Sequence, residues 1–539
     1  MPVEVEIDKR TTLARVGQSL FECAEQMDVQ IPTSCIKNGK CRECLVEVSE
    51  GGELLSPISP EEEHLQGRFR LSCRATISAN SGRISCHTLR REKMRIEQEA
   101  RHLPTSFQDT PLNPAVTRRG KSVLLDGKSI AQGGAIYGVA LDVGTTTVAV
   151  RLIDLESGDL VAASAFENPQ RFAGSNVMSR ILFNSENKGR LQQRTLTGYL
   201  THALEDFPVD TTQIYEMVVV GNTTMRDLFF GLDVSGIGQK PFRSITEVQL
   251  RNGERASTAV ASTGRRLRLP IHPDARVVGL PIISSHVGAD AAACLLSVDL
   301  ARREEPMLLM DIGTNTEILC GCRDQLLVAS CPAGPAFEGG AVSCGMPGLK
   351  GAIERVAISA TGESDYRVID DGPAEGICGS GLIDLLNELV MQQMIDANGR
   401  YVDGEDRFFL DRSADIYLSE ADIAELAQAK GANSAGIKIV LDRAGLTIDQ
   451  VDRLYLAGGF ARYLDTRAAR GIGMIPDIAD GCIRQIGNAA LEGASIALCS
   501  LPHRDLLDGL VRRAEHLELE MDEHFFDYYV DGCLFAGVN

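Results

Sequence analysis

Tyr137-Gly-Val-Ala-Leu-Asp142-Val-Gly144-Thr145-Thr146-Thr147-Val-Ala-Val-Arg-Leu-Ile153 is answered 169 positions later by Met307-Leu-Leu-Met-Asp311-Ile-Gly313-Thr314-Asn315-Thr-Glu317-Ile-Leu319. Each copy is an apolar strand, an Asp-x-Gly-Thr turn and a second strand. Each then passes through a polar turn, Glu156-Ser-Gly158 or Arg323-Asp-Gln325, into a third strand. A glycine in such a turn lets the backbone approach a phosphate, the hydroxyls donate to its oxygens, and the aspartate can hold a magnesium ion or its waters. One Asp-x-Gly-Thr is a common turn and carries little weight. Two in matching strand contexts imply a duplicated α/β core with two phosphate loops facing each other across a cleft.

A later segment fits this plan. Leu454-Tyr-Leu-Ala-Gly458-Gly459-Phe460 runs an apolar strand into paired glycines, where a base and ribose can lie against bare backbone. Read alone it is equally a tight strand-to-helix turn. Together the three segments resemble the actin, Hsp70 and sugar-kinase (ASKHA) superfamily, whose two lobes close on ATP. No Walker-A string occurs, and Gly376-Ile-Cys-Gly379-Ser-Gly381 has the wrong glycine order for a dinucleotide loop.

Upstream lies Pro32-Thr-Ser-Cys35-Ile-Lys-Asn-Gly39-Lys-Cys41-Arg-Glu-Cys44, with Cys73 29 positions beyond Cys44. Four thiols in this C-x5-C-x2-C…C order spell an iron–sulfur site, with small and polar residues between the ligands so that backbone N–H groups can face the sulfurs. Zinc is the competitor, but structural zinc sites usually pair two C-x2-C knuckles, and here one close triplet meets a distant single thiol. Val3-Glu-Val-Glu-Ile7 and Cys44-Leu-Val-Glu-Val-Ser49 alternate as strands, and 18–27 reads as a helix. The spacing resembles the adrenodoxin branch of [2Fe–2S] ferredoxins, one residue longer in its first gap than the plant type, which implies a small β-grasp domain. Cys23 and Cys86 read as ordinary buried thiols.

The 539 residues are enough for three or more cores. Fifteen cysteines are scattered through the chain, and the acidic start Met-Pro-Val-Glu-Val-Glu has no apolar leader, so a reducing cytoplasmic setting is expected. No run suggests a membrane span. With 74 acidic against 54 basic side chains the net charge is −20, which repels a phosphate backbone and argues against nucleic acid as a partner. The expected domains are 1–89, ferredoxin-type; 90–133, a linker with a mixed-charge helix and a proline-punctuated stretch; 134–303, the first lobe; and 304–539, the second. The linker can serve as a tether of about 25 Å reach or pack on its neighbours.

The order of ferredoxin-like domain, linker and duplicated core resembles the ATP-dependent reductive activators of corrinoid proteins. The resemblance is carried by Asn168-Pro169-Gln170 with Val177-Met-Ser-Arg180, Val219-Val-Gly221-Asn222-Thr223-Thr224-Met225, and Pro281 with Val287-Gly288-Ala289-Asp290. It continues through Asp311 to Glu317, Ala333-Gly334-Pro335-Ala336-Phe337-Glu338-Gly339, Gly376 to Asp384, and Leu456-Ala-Gly458-Gly459-Phe460 with 472–476. Gly174-Ser175-Asn176-Val177 departs from the expected Gly-x-Asp-Val.

The resemblance implies one-electron reduction of an inactive cob(II) corrinoid to cob(I) by a [2Fe–2S] cluster, coupled to ATP. Plant-type clusters sit near about −400 mV, and a further climb of roughly 100 to 200 mV costs about 2 to 5 kcal/mol, which the nucleotide cycle can supply. It assigns Cys35, Cys41, Cys44 and Cys73 to the cluster. Asp142, Gly144, Thr145, Thr146 and Thr147, with Asp311, Gly313, Thr314 and Asn315, go to phosphates and magnesium, Gly458 and Gly459 to the nucleoside, and Glu317 to the attacking water. Partners are a corrinoid protein or methyltransferase and an electron-donor reductase, with a homodimer expected. A redox-gated small-molecule kinase and an Hsp70-like binding module are the alternatives. Activators of radical dehydratases share the core but bind their cluster through core cysteines, for which Cys331, Cys344 and Cys378 could be mistaken.

Overall fold

The structure, a computed structural model, describes residues 2–89, 103–187, 189–359 and 361–535. Residues 90–102 of the expected linker, including its mixed-charge helix, lie outside the described residues. The chain divides into two compact units, one from Met1–Gln98, Ser106–Ala293 and Ala490–Asp508, the other from Glu99–Thr105, Cys294–Ala489 and Gly509–Asn539.

The N-terminal part of unit 1 is a five-stranded sheet in the order Arg10–Ala14, Val3–Ile7, Gly82–Thr88, Leu45–Glu50, Phe69–Leu71. Val3, Val5 and Ile7 are buried while Glu4 is exposed and Glu6 half-buried, the period-two pattern of a sheet with one covered face. The cover is helix Leu20–Gln26, begun by a capping box between Ser19 and Glu22, which buries Leu20, Phe21, Cys23 and Ala24. Cys23 and Cys86 lie in this core, where burial pushes their thiols up to about 11 and about 12.

The remainder of unit 1 is a six-stranded sheet ordered Leu160–Glu167, Thr147–Asp154, Tyr137–Val143, Ile214–Val220, Arg276–Gly279, Val260–Thr263. The first three strands are antiparallel, and Ile214–Val220 and Arg276–Gly279 run parallel to Tyr137–Val143. Unit 2 repeats this order with Leu326–Cys331, Thr316–Gly321, Met307–Ile312, Arg453–Ala457 and Ile483–Gly487, again antiparallel then parallel. The sequence repeat is therefore a repeat of topology. In both units the strand that carries the aspartate one residue before its end is central and buried on both faces, which accounts for its apolar run.

The described part of the linker has structure of its own. Residues 116–132 form a three-stranded antiparallel sheet from Val116–Arg119, Ser122–Leu125 and Lys128–Gln132. Phe107 is buried, donates its N–H to Glu492 at 2.8 Å and lies under the Arg151 guanidinium. Ala490–Asp508, inside the stretch expected as the second lobe, packs with unit 1. Two devices hold it there. Gly138 has no side chain, so Leu498 can press onto its backbone, and the buried Glu216 accepts from both Arg504 and Arg276 at 2.9 and 2.7 Å.

Within unit 1 the ferredoxin-like sheet docks on the lobe. Glu43, between two of the candidate ligand cysteines, is buried, accepts from the Ser34 hydroxyl at 2.6 Å and lies 3.2 Å from His202 Nε2. Helix Leu191–Glu205 comes so near that a Cβ on Gly198 would stand 2.8 Å from the Glu43 carboxyl. Gln66 N–H donates to the Phe172 carbonyl at 3.2 Å, and His64 meets the Phe172 ring edge-on.

Two variants test these contacts. Gly458 has φ +101°, and a Cβ there would meet the Ile312 carbonyl oxygen at 2.3 Å. Gly458→Val should lower the stability of unit 2 by at least about 1–3 kcal/mol, read as an earlier thermal transition; an unchanged transition contradicts the close approach. Gly198→Leu should displace Glu43 and speed amide exchange in 41–44 while the strands of the N-terminal sheet keep their protection. Equal exchange in both proteins would mean that the cluster loop does not dock there.

Candidate functional site

The four candidate cluster cysteines come together as two pairs. Strands Leu45–Glu50 and Phe69–Leu71 pair with Leu45 opposite Leu71, which sets Cys44 and Cys73 at neighbouring strand ends with their sulfurs 3.3 Å apart. Cys35 and Cys41 are the second pair, free thiols hydrogen-bonded to each other within the loop, with the Thr33 hydroxyl 3.7 Å from Cys41 Sγ. Lys37, Gly39 and Arg42 have φ of +48°, +77° and +64°. This left-handed winding turns backbone N–H groups inward, the Asn38 and Cys41 amides to the Cys35 sulfur and the Gly39 amide to Cys73. Burial opposes ionisation of Cys35, but these bonds outweigh it and bring the thiol down to about 7. Among the described residues no three His, Cys, Asp or Glu side chains surround one metal position. In a two-iron cluster each iron takes two thiolates, so two pairs with inward amides fit it.

In unit 1 Asp142 is the next-to-last residue of the central strand, in register with Ala149, and Gly144 to Thr146 make the turn before Thr147 opens the next strand. The turn is fastened from behind. Asn168 donates its side-chain amide to the Gly144 carbonyl and its N–H to the Thr146 carbonyl, both at 2.7 Å. Arg180 Nη2 donates to the Thr145 carbonyl at 2.7 Å, and Asn222 Nδ2 to the Thr145 hydroxyl at 2.9 Å. In a planar trans peptide the N–H points opposite the carbonyl, so tying the carbonyls back aims the following amides the other way, as an anion site requires. Burial and the neighbouring Arg171 push the Arg180 guanidinium down to about 9, which still leaves a buried positive charge behind the loop at neutral pH.

Unit 2 brings more of the predicted residues together. Asp311 lies opposite Glu317 across the hairpin and opposite Ala457 on the parallel strand, so Gly313 to Asn315 and Gly458-Gly459 leave the same edge of the sheet. Gly458 N–H donates to the Gly487 carbonyl at 3.1 Å. Glu317 is mostly buried and accepts from the Ser330 hydroxyl at 3.3 Å. The Thr314 hydroxyl donates to Glu338 at 2.6 Å, and burial pushes the Glu338 carboxyl up, with that bond acting against it. The core cysteines do not converge: Cys331 is buried against Gly436, Cys378 donates to the Ile353 carbonyl at 3.3 Å, and Cys344 lies beside the Tyr417 amide.

Asn168, Arg180, Asn222 and Glu338 stand in the motif strings, yet nothing in the sequence around them points to these contacts. The signal for Asn222 lies in the repeat instead. Val220 pairs with Asp142 as Ala457 pairs with Asp311, so Gly221-Asn222 holds in unit 1 the place of Gly458-Gly459 in unit 2. Gly221 shows the same close approach, φ +146° with a Cβ 2.5 Å from the Val143 carbonyl oxygen.

Comparison with known proteins gives one consistent result. Residues 3–78 match the 2Fe-2S iron-sulfur cluster binding domain, 137–303 the RACo middle region, and 305–539 the C-terminal domain of RACo, the ASKHA domain. The corrinoid activation enzyme RamQ of Eubacterium limosum is 28% identical, with 93% of each chain covered. The [Co(II) methylated amine-specific corrinoid protein] reductase of Methanosarcina barkeri is 25% identical over 73% of this chain and 76% of its own. A solved structure, a reductive activator for corrinoid, iron-sulfur protein, superposes with a TM-score of 0.70 at 27% identity, covering 99% of this chain and 98% of its own. A [2Fe–2S] domain, a RACo middle region and an ASKHA domain in unbroken order place this chain in the family of corrinoid reductive activators.

Proposed function

We propose that this protein is an ATP-hydrolysing iron–sulfur reductase that activates a corrinoid protein, returning one electron to a cob(II) centre to give cob(I). The observation that carries this reading is the joining, in one chain, of two cysteine pairs on a grasp domain to a duplicated core with an Asp-x-Gly-Thr turn at the end of the same hairpin strand in each unit. When bound, a [2Fe–2S] cluster supplies the low-potential electron. Cys35 and Cys41 would hold one iron and Cys44 and Cys73 the other, while the inward amides of Asn38, Gly39 and Cys41 offset the negative charge of the sulfurs.

For the nucleotide, the proposed phosphate groups are Gly144 to Thr147 in unit 1 and Gly313 to Asn315 in unit 2. Asp142 and Asp311 would anchor magnesium through its waters. Gly458 and Gly459 would lie against the nucleoside, and Glu317, across the hairpin from Asp311, would order the water side of the loop. The eleven cysteines outside the proposed cluster form no disulfide, which supports a reducing, cytoplasmic setting. No helix among the described residues is long and apolar enough to cross a membrane. An electron-donor reductase and a homodimeric assembly complete the proposal on the strength of the family resemblance.

Protein purified without oxygen should contain two irons per chain, with an EPR signal on one-electron reduction; Cys41→Ser should lose or visibly alter that signal. Zinc in place of iron, or an unaltered signal in the variant, would overturn the ligand assignment. ATP hydrolysis should rise when a cob(II) corrinoid protein is added, and Asp142→Ala combined with Asp311→Ala should suppress it while leaving the cluster spectrum intact. Turnover persisting at the original rate would place the nucleotide elsewhere.

A further inference from the structure

The two phosphate turns are fastened differently, and the difference falls on one side chain. In unit 1 the first residue after the third strand, Asn168, reaches back and donates its amide to the Gly144 carbonyl at 2.7 Å. In unit 2 the segment after the third strand also reaches back, but with a carboxylate: Glu338 accepts from the Thr314 hydroxyl at 2.6 Å. Its other oxygen, Oε1, lies 3.7 Å from where a Cβ on Gly313 would stand. One oxygen is anchored and the other sits beside the bare glycine of the turn.

Glu338 is held firmly. It ends a single 3-10 turn, Ala336–Glu338, in which Glu338 and Gly340 N–H groups both donate to the Pro335 carbonyl, at 3.0 and 2.9 Å. Phe337 is buried beside it, and Gly339, at φ +82°, lies where a Cβ would meet the Met346 backbone at 2.5 Å. Such rigidity suits a group that must present one oxygen at a fixed point.

A purely structural brace does not need a carboxylate, since an amide does that work in unit 1. A carboxylate beside a turn that takes a polyanion is electrostatically unfavourable. Its presence is explained if it performs acid–base work, with one oxygen fixed by Thr314 and the other left at the turn, and burial raises its proton affinity. Glu317 is placed less well for that, being a strand residue held by Ser330 within the sheet.

We propose that Glu338 is the general base of ATP hydrolysis, taking the proton from the water that attacks the γ-phosphate, a proposal resting on the reading of Gly313 to Asn315 as a phosphate loop. The water oxygen bonds the γ-phosphorus as the bond from that phosphorus to the bridging oxygen of ADP breaks. The proton passes to Glu338 Oε1, and ADP and inorganic phosphate leave. Glu338 then returns the proton to solvent. The Thr314 hydroxyl keeps the carboxylate aimed throughout.

The test uses the full-length holoprotein with a cob(II) corrinoid protein present, comparing Glu338→Gln, Glu317→Gln and Asp311→Ala. Glutamine keeps the shape and can accept from Thr314 but cannot take the proton. Glu338→Gln should lower kcat by about 10²–10³-fold, abolish the acidic limb of the kcat–pH profile, and bind a fluorescent non-hydrolysable ATP analogue within about twofold of the wild type. Glu317→Gln should affect kcat less. Unchanged kcat in Glu338→Gln with binding intact overturns the proposal, as does a raised KM at unchanged kcat, which makes Glu338 a nucleoside-binding or shaping group. If Asp311→Ala binds the analogue as tightly as the wild type, the loop assignment itself fails, and the proposal falls with it.

Discussion

Each lobe is organised by a close approach between two backbones. The glycine that follows the fourth strand, Gly221 or Gly458, presses on the carbonyl just beyond Asp142 or Asp311, at 2.5 and 2.3 Å from a hypothetical Cβ. No other residue type fits, and both glycines have positive φ. This contact sets the loop after the parallel strand beside the Asp-x-Gly-Thr turn. Everything proposed for the nucleotide depends on it, because the turn supplies amides and hydroxyls while the glycine loop supplies bare backbone. A side chain at either glycine would push the two loops apart and dissolve the site without touching a chemical group.

The cluster domain depends on a second kind of constraint, the register of two short strands. Leu45 opposite Leu71 sets Cys44 against Cys73, while the left-handed backbone at Lys37, Gly39 and Arg42 curls Cys35 and Cys41 into a pair of their own. The same loop carries Glu43, which faces helix Leu191–Glu205 through the gap left by Gly198. The segment that tunes the sulfurs is thus also the segment that docks the domain on its lobe.

Much of this was legible in the chain. Period-two alternation at Val3 to Ile7 and the unbroken apolar runs ending in Asp142 and Asp311 located the sheets, because burial on one face or two writes different patterns. Cysteine spacing identified the four thiols that come together in two pairs. What spacing could not reveal was contact between segments distant in sequence. Asn168, Arg180 and Asn222 converge on the Gly144–Thr147 turn from three separate places in the chain. Glu338 meets Thr314 across 24 positions through a turn with no periodicity. The return of Ala490–Asp508 to unit 1 was equally hidden, since Leu498 meets Gly138 and Arg504 meets Glu216 only after folding.

The central claim is that nucleotide chemistry and electron delivery are coupled. It is tested by mixing the protein, its cluster reduced beforehand, with a cob(II) corrinoid protein and following the cob(I) absorption with and without ATP and magnesium. Coupling predicts that cob(I) accumulates only when both are supplied and that its appearance tracks phosphate release. Cob(I) forming as fast and as fully without nucleotide would contradict the account.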